Sequence, residues 1–211
     1  FLFFFKNKNE VSNYSKENIK TRSYSQFLSD PKFLQAITAA SFAYVVMAFL
    51  MTATPISMHI IHKLSLDKLG VVMQFHVLAM FLPSLVTGNL IKKFGYSKIM
   101  YVGVIFYIFT ILMSFFEPSY LNYFAGLVFL GIGWNFLFVS GTSLLVTTYK
   151  PEEKFKAQGF NDLVVFSLTA VSSLSAGILI SITSWKIVNL LCIPFLILII
   201  FSIINAQRKS K

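Results

Sequence analysis

Six long apolar segments, separated by short polar connections, constrain this sequence more than any other feature. The segments cover residues 33–61, 69–91, 99–116, 121–148, 158–182 and 187–205. A helix needs about 20 apolar residues to cross the hydrocarbon core of a bilayer, and each segment has roughly that length. Because the connections are short, each helix is expected to pack antiparallel beside the next. The sequence therefore predicts an all-α integral membrane protein with a bundle of six transmembrane helices.

The composition agrees with a lipid environment and excludes several classes of protein. Of the 211 residues, 56% are hydrophobic and 12% are charged, whereas a soluble domain has about 25% charged residues. The net charge of +10 would suit nucleic-acid binding, but no polar basic domain is present, so we expect no nucleic-acid partner. The single cysteine, Cys192, lies in the last apolar segment, which excludes a disulfide or a cysteine-rich zinc cluster within the chain.

Lysines and arginines are unequally divided between the two sides of the predicted bundle. If the segments alternate across a membrane, only three of the 18 basic residues fall on one side: Lys63, Lys68 and Lys186. The others fall before the first helix, after the second and fourth helices, and in the C-terminal tail. Basic residues accumulate in cytoplasmic loops. We therefore expect both ends of the chain to be cytoplasmic and the protein to lie in the plasma (inner) membrane.

The chain before the first apolar segment has two parts. Residues 1–5, FLFFF, are apolar but too short for a span or for the core of a signal peptide. They suggest the end of a preceding transmembrane helix, and hence a chain that is the C-terminal part of a longer protein. Residues 6–32 are polar, with six basic side chains, which predicts a cytoplasmic basic linker rather than a packed unit. The bundle itself is expected to occupy residues 33–211.

The connection after the second segment, GNLIKKFGYSK at residues 88–98, resembles the loop G-x-L-x-D-R-x-G-R-[RK] of the major facilitator superfamily. Five of its residues fit that pattern: Gly88, Leu90, Lys93, Gly95 and Lys98. Lys92 stands where the family has an acid, and Tyr96 where it has an arginine. The connection EKFKAQG at residues 153–159 resembles the E-R-x-x-A-x-G stretch that enters helix eleven of the same family.

The resemblance implies a fold and a function for the whole chain. Six spans after a basic linker are similar to helices seven to twelve of a twelve-helix facilitator, whose N-terminal six-helix half would be missing here. Such proteins are secondary active transporters, in which two halves rock around a small-molecule site near the midplane. For the loop at 88–98 the resemblance implies gating, with Gly88 and Gly95 permitting a tight turn beside Lys92 and Lys93.

Polar residues inside the spans are the candidates for a substrate site, because lipid cannot satisfy their hydrogen bonds. Asp162 is the acid most plausibly embedded in a span, and Asn161 precedes it. Helical spacing places them on a broad polar face of the fifth segment with Gln158, Thr169, Ser172 and Ser173. This face could line a cavity. Alternatively, its small polar residues permit close helix packing, and Asp162 caps a helix or pairs with a basic neighbour.

The second segment carries a histidine about 10 Å into the span, counted at 1.5 Å per residue. His76 could titrate near neutral pH and couple proton movement to transport, or it could be a neutral side chain that bonds between helices. If it faces the cavity, substrate binding is favoured over proton carriage, because no embedded acid lies beside it. Gln74 is a second polar candidate on the same segment. Pro83, also within this segment, predicts a kink.

The fourth segment contains Trp134 and Asn135 near the midplane. A buried amide needs a partner from another helix or from a ligand, and an indole offers an aromatic wall with one donor. We rank Asn135 above Trp134 as a substrate contact, and Tyr44 in the first segment as a weaker candidate. The fourth segment also holds three glycines that predict close approach of neighbouring helices: Gly131, Gly133 and Gly141.

The sequence offers little support for catalysis or for a metal. His59 and His62, with Met58 beside them, provide too few ligands for a zinc site, so we expect no metal. Glycine-rich phosphate loops, zinc-binding His-Glu helices and serine nucleophile motifs are missing from the sequence. We therefore expect a transporter without enzymatic activity or cofactor, moving a small organic solute with or without protons. A membrane-embedded lipid-modifying enzyme and a non-transporting scaffold subunit are the alternatives.

Overall fold

The computed structural model describes residues 21–209. The predictions for residues 1–5 and for most of the linker therefore lie outside the described residues. Within residues 21–209 the chain is helical and contains no strand, so the all-α prediction is confirmed. Six helical stretches are long and apolar enough to cross a membrane: Pro31–Ile61, Leu66–Phe94, Tyr96–Met113, Tyr120–Val146, Pro151–Ile182 and Trp185–Lys209.

The described range contains nine α-helices: the first helix precedes the first span, and the other eight form the six spans, two of which are divided into two helices. The helices are α1 (Tyr24–Ser29), α2 (Pro31–Pro55), α3 (Leu66–Phe81), α4 (Ser84–Phe94), α5 (Tyr96–Met113), α6 (Tyr120–Val146), α7 (Lys154–Ile182), α8 (Trp185–Leu190) and α9 (Ile193–Lys209). A π-helical turn, Ile56–Ile61, follows α2, and a short 3₁₀ helix, Pro151–Glu153, precedes α7. The second and sixth spans each consist of two helices with a break between them.

Side-chain caps set where several of these helices begin. Asp30 accepts a hydrogen bond from the backbone N–H of Lys32 at the start of α2. Ser65, Ser119 and Ser184 cap α3, α6 and α8 in the same way. A serine or aspartate at this position satisfies N–H groups that have no partner within the helix. The short polar connections thus both turn the chain and start the next span.

The first and fourth spans form the centre of the bundle. Helix α6 packs against α2, α3 and α5, whereas α2 also packs against α7 and α9. Glycine permits the closest of these contacts: a Cβ on Gly141 would lie 2.9 Å from the Ala36 carbonyl oxygen, and one on Gly131 would lie 2.7 Å from the His76 carbonyl oxygen. The glycines of the fourth segment therefore allow close packing, as their spacing predicts.

Four helices share one face of the bundle in the order α7, α2, α6 and α3, because α2 lies between α7 and α6, and α6 lies between α2 and α3. The two flanking spans of this face are mostly exposed, whereas the first span is mostly buried. Exposed apolar side chains on α3 include Phe75, Leu78 and Phe81, and those on α7 include Phe166 and Leu174.

The described end of the predicted linker is packed rather than extended. Phe27 of α1 is fully buried, and its ring stacks on Phe33 of α2 with centroids 4.8 Å apart. Arg22 forms a bidentate ion pair with Glu153 and donates to the Thr148 carbonyl oxygen at 2.6 Å. Residues 22–29 of the predicted linker thus include one buried apolar anchor, Phe27, and one arginine, Arg22, with partners far along the chain.

The predicted distribution of basic residues gives the two ends of the bundle different characters. Lys32 at the start of α2, Lys93 at the end of α4, Lys98 in α5 and Lys154 at the start of α7 lie at one end because successive spans are antiparallel. We call this the lysine-rich end. The opposite end carries Lys63, Lys68 and Lys186.

Candidate functional site

A row of aromatic side chains crosses the shared face near the middle of the spans. Phe166 of α7 lies 6.4 Å from Tyr44 of α2, measured between ring centroids. Tyr44 meets Trp134 of α6 edge to face at 5.2 Å, and Trp134 lies 6.0 Å from Phe81 of α3. Phe138, one turn from Trp134, stacks on its indole at 5.0 Å. We call these five residues the aromatic row.

The two ends of the aromatic row are open and its centre is enclosed. Phe81 and Phe166 are 59% and 63% exposed, whereas Trp134 is 4% exposed. Tyr44 is half-buried. The row thus presents apolar ring surface on two flanking helices, with a more enclosed pair of aromatic rings beneath. Aromatic rings pack favourably edge to face or offset-stacked, so the row can accept a further planar ring.

The aromatic row also holds an unsatisfied polar group. The indole N–H of Trp134 is buried and has no hydrogen-bond acceptor among the described residues. A tryptophan N–H can only donate, and leaving a buried donor unpaired costs about 1–3 kcal/mol. An acceptor brought to this position by a ligand would remove that cost.

Asn135 finds the partners for its amide on the neighbouring second span. Its side chain is fully buried, and its amide nitrogen donates to the Met80 carbonyl oxygen at 2.7 Å and to Ser84 Oγ at 2.6 Å. Its amide oxygen accepts from Thr87 Oγ1 at 2.7 Å. These partners flank Pro83, where α3 ends and α4 begins. Asn135 therefore holds together the break that proline introduces into the second span.

His76 is fully buried between α3 and α6. Its Nδ1 lies 2.8 Å from the Leu127 carbonyl oxygen, so Nδ1 carries the proton and donates. This is the interhelical bond named above as an alternative to proton coupling. The other ring nitrogen, Nε2, is buried without a partner among the described residues. Gln74, two positions earlier, is exposed on the surface of α3.

Asp162 and Asn161 lie in the half of α7 closer to the lysine-rich end. The Asn161 amide donates to Asp162 Oδ1 at 3.1 Å. Asp162 is exposed, whereas Asn161 is 4% exposed and its amide oxygen lacks a partner within residues 21–209. Further along α7, Ser172 donates to the Val45 carbonyl oxygen of α2. The polar face of α7 therefore contains both a packing contact, made by Ser172, and an exposed acid, Asp162.

Gly95, and not Gly88, makes the turn in the loop that resembles the family motif. Gly95 has φ of 86° and joins α4 to α5. Gly88 lies inside α4, where an added Cβ would have no neighbouring atom within 4 Å. The prediction that both glycines form the turn is corrected, because α4 continues as a helix to Phe94. Lys92 and Lys93 are exposed in the last turn of α4, where the helix dipole favours positively charged side chains.

The two histidines near the end of the first span make local bonds. His62 Nδ1 lies 2.8 Å from the Ser57 carbonyl oxygen and 3.0 Å from the Tyr123 hydroxyl. His59 Nδ1 lies 2.9 Å from the Leu64 carbonyl oxygen. In residues 21–209 no three side chains of His, Cys, Asp or Glu gather in a way that could hold a metal.

Comparison with known proteins decides the family. The family model of the Major Facilitator Superfamily matches residues 6–210. The chain belongs to the major facilitator superfamily. It is therefore an integral membrane protein of a transporter family, and its six spans correspond to half of the major facilitator fold, in agreement with the prediction from sequence. No solved structure gives a significant match.

Three curated transporters are among the relatives of this chain. The riboflavin transporter RfnT of Brucella anthropi is 37% identical over 183 residues, which cover 87% of this chain and 46% of RfnT. The uncharacterized MFS-type transporters YddS and YdeG of Bacillus subtilis (strain 168) are 31% and 32% identical, each over 70% of this chain and 34% of their own length. The chain spans less than half the length of each of these relatives.

Part of the aromatic row is not evident from the sequence. Tyr44 and Trp134 are identified by their depth in the spans, but Phe81, Phe138 and Phe166 are not. The sequence has 24 phenylalanines, so one more phenylalanine in an apolar segment carries little information. Position near the middle of a span is the feature that these three share with Tyr44 and Trp134, and it could have identified them.

Proposed function

We propose that this chain is the C-terminal half, helices seven to twelve, of a secondary active transporter that works by alternating access. Family membership and the match to less than half of each relative support this proposal. The preceding six-helix half would cover the face formed by α7, α2, α6 and α3. The aromatic row would then lie between the two halves at the midplane, where transporters of this kind bind their substrates.

The aromatic row is the observation that carries a proposal about substrate. Its five rings come from four helices and present exposed ring surface at both ends. Such a surface favours a planar aromatic solute over an aliphatic or highly charged one. RfnT is described as a riboflavin transporter, and riboflavin joins a planar ring system to a polar chain. We propose riboflavin, or a solute of the same planar and amphipathic class, as the substrate.

Each member of the site has a proposed role. Tyr44 and Trp134 contribute rings against which the solute stacks, and the Trp134 N–H supplies a donor when the enclosing side chains move. Phe81 and Phe166 form the walls that close on either side. Gln74 and Asp162 are exposed, and the buried Asn161 donates to Asp162, so we assign these three residues to the polar approach. His76 and Asn135 support the site from behind, because both are fully buried.

The lysine-rich end is proposed to be cytoplasmic and the membrane to be the plasma (inner) membrane. Lysine enrichment on one side is the ordinary mark of a cytoplasmic face. The loop at Lys92, Lys93 and Gly95 would then lie on that face. We propose that it takes part in gating, since the single residue Gly95 connects two spans that must shift together when access alternates.

Counterflow in proteoliposomes tests the proposed substrate class. The complete transporter would be reconstituted and loaded with riboflavin, and entry of labelled riboflavin would be measured in the presence of competitors. We expect the isolated three-ring flavin system to compete and the isolated polyol chain not to compete. Competition by the polyol chain alone, or the absence of riboflavin counterflow, would contradict the proposal.

A further inference from the structure

A cavity of about 420 Å³ opens at the lysine-rich end of the bundle, well away from the aromatic row. The ends of α2, α6 and α9 and the turn between α4 and α5 surround it. The polar lining residues of the described part of the chain are Lys32, Gln35, Tyr96, Ser97, Lys98, Thr147 and Gln207. Because five spanning segments end here, the cavity lies at the level at which the headgroups of a surrounding bilayer would lie.

Within residues 21–209 the charged side chains that line the cavity have one sign. They are Lys32 and Lys98, and no acid of the described residues is among the lining residues. Arg208 and Lys209 follow in the last turn of α9. The acid nearest to Lys32 in the sequence, Asp30, lies 3.6 Å from Arg22 and caps α2, so it is already engaged. Beside a bilayer, where the effective dielectric is lower than in water, such a concentration of positive charge attracts anions strongly.

Hydrogen-bond donors add to the positive charge. Gln35 is 3% exposed, and its amide nitrogen donates to Ser97 Oγ at 3.0 Å. The Ser97 oxygen is thus an acceptor of that bond, and its own O–H is left to donate. No side chain caps α5, which begins at Tyr96, so the first-turn N–H groups beside the cavity lack a partner from a capping residue. Anions bind favourably to such groups.

We propose that this cavity binds a phosphate group through Lys32, Lys98 and Ser97. Phosphate oxygens accept several hydrogen bonds and carry the charge that two lysines neutralise. The phosphate could belong to the headgroup of an anionic phospholipid or be free in solution. The cavity shares no lining residue with the aromatic row, so the proposal does not depend on which solute the aromatic row binds.

Equilibrium binding to the purified full-length transporter in neutral detergent tests the proposal. The probes are short-chain phosphatidylglycerol, short-chain phosphatidylcholine and inorganic phosphate. The test variant is Lys32→Gln with Lys98→Gln. The matched control is Lys63→Gln with Lys68→Gln, which removes the same charge from the opposite end of the bundle. All four lysines are exposed, so neither variant should disturb folding, and thermal unfolding of each protein confirms this.

We expect saturable binding of phosphatidylglycerol that weakens about tenfold in the test variant, equivalent to about 1.4 kcal/mol, and stays unchanged in the control. Ser97→Ala should weaken it by a smaller factor. Competition by millimolar inorganic phosphate would assign the site to a free anion, and binding of phosphatidylglycerol without such competition would assign it to a lipid headgroup. Equal affinity of wild type and test variant, or no saturable binding of any probe, would overturn the proposal.

Discussion

The phenol ring of Tyr44 and the indole of Trp134 meet edge to face with their centroids 5.2 Å apart, although they lie on the first and fourth spans. This contact joins the two central helices of the bundle at mid-depth. The flanking helices extend it by one phenylalanine on each side. An aromatic surface shared by four spans is therefore the structural feature on which the proposed transport function depends.

The break in the second span should depend on Asn135. Replacing it with alanine leaves the Met80 carbonyl oxygen and the hydroxyls of Ser84 and Thr87 without their amide partner. We expect Asn135→Ala to lower the free energy of unfolding by about 1–3 kcal/mol, measured by thermal or denaturant unfolding in detergent. Asn122→Ala, which removes an exposed amide bonded to the Glu117 carbonyl oxygen at 2.7 Å, is the control and should have a much smaller effect.

The same variant distinguishes support from substrate contact. If Asn135 only holds the break, folded Asn135→Ala protein should keep the KM of wild type for its substrate. A raised KM together with unchanged stability would show instead that the amide contacts the solute, as the sequence alone suggests.

The turn between α4 and α5 should require glycine at one position only. Gly95 has φ of 86° and ψ of 157°, a region that side-chain-bearing residues enter at a cost of about 1–3 kcal/mol. We expect Gly95→Ala to lower the unfolding midpoint in detergent. Gly88→Ala is the matched control: it lies within α4 with open space around it, and alanine favours the helix, so its midpoint should not fall.

The ion pair between Arg22 and Glu153 should hold α1 on the bundle. Hydrogen bonds to Glu153, whose carboxylate lies 2.8 Å from the arginine Nη2, raise the pKa of Arg22 above its ordinary value. Because the pKa of Arg22 is higher in the folded state, protonation of Arg22 stabilises the fold at all pH values below the ordinary arginine pKa. This stabilisation is lost only in strong alkali. Its contribution should therefore be constant across the neutral range.

Hydrogen exchange of the α1 amides measures this contact. We expect Arg22→Ala or Glu153→Ala to speed exchange in Tyr24–Ser29 severalfold, because α1 is then held by fewer anchors, among them the Phe27 ring and the bond from Lys156 to the carbonyl oxygen of residue 22. The double variant should exchange no faster than either single variant, since both remove the same interaction. Additive effects would indicate that the two residues act separately.

The arrangement of spans could be predicted from the sequence, but most side-chain partners could not. Six apolar segments of membrane length admit little besides a helical bundle, and Gly95 is identifiable because a turn is needed there. Whether Asn135 faces a ligand or the Met80 carbonyl oxygen depends on how α6 is rotated about its axis relative to α3. That rotation cannot be predicted from an apolar segment that lacks a polar stripe. His76 is equally ambiguous for the same reason.

The role of a charged residue is misjudged when it is inferred from the composition of its own segment, because the segment does not reveal the ion-pair partner. Arg22 lies in a segment whose average polarity indicates a linker, yet its partner Glu153 is 131 positions away along the chain. Such distant pairs leave no local pattern in one sequence. In the sequence, the lysines of the loop at 88–98 indicate only the topology of the membrane spans. The cavity lined by Lys32 and Lys98 can be identified only from the structure, in which the ends of α2 and α5 lie side by side.

Riboflavin uptake by proteoliposomes tests the central claim most directly. The full-length transporter would be compared with Tyr44→Leu and Trp134→Leu, and with Tyr101→Leu as a matched control on α5, which is half-buried and apart from the aromatic row. We predict that either row variant lowers kcat/KM at least tenfold, or about 1.4 kcal/mol, while the control retains uptake. Wild-type uptake in both row variants, with all proteins equally folded, would contradict the account.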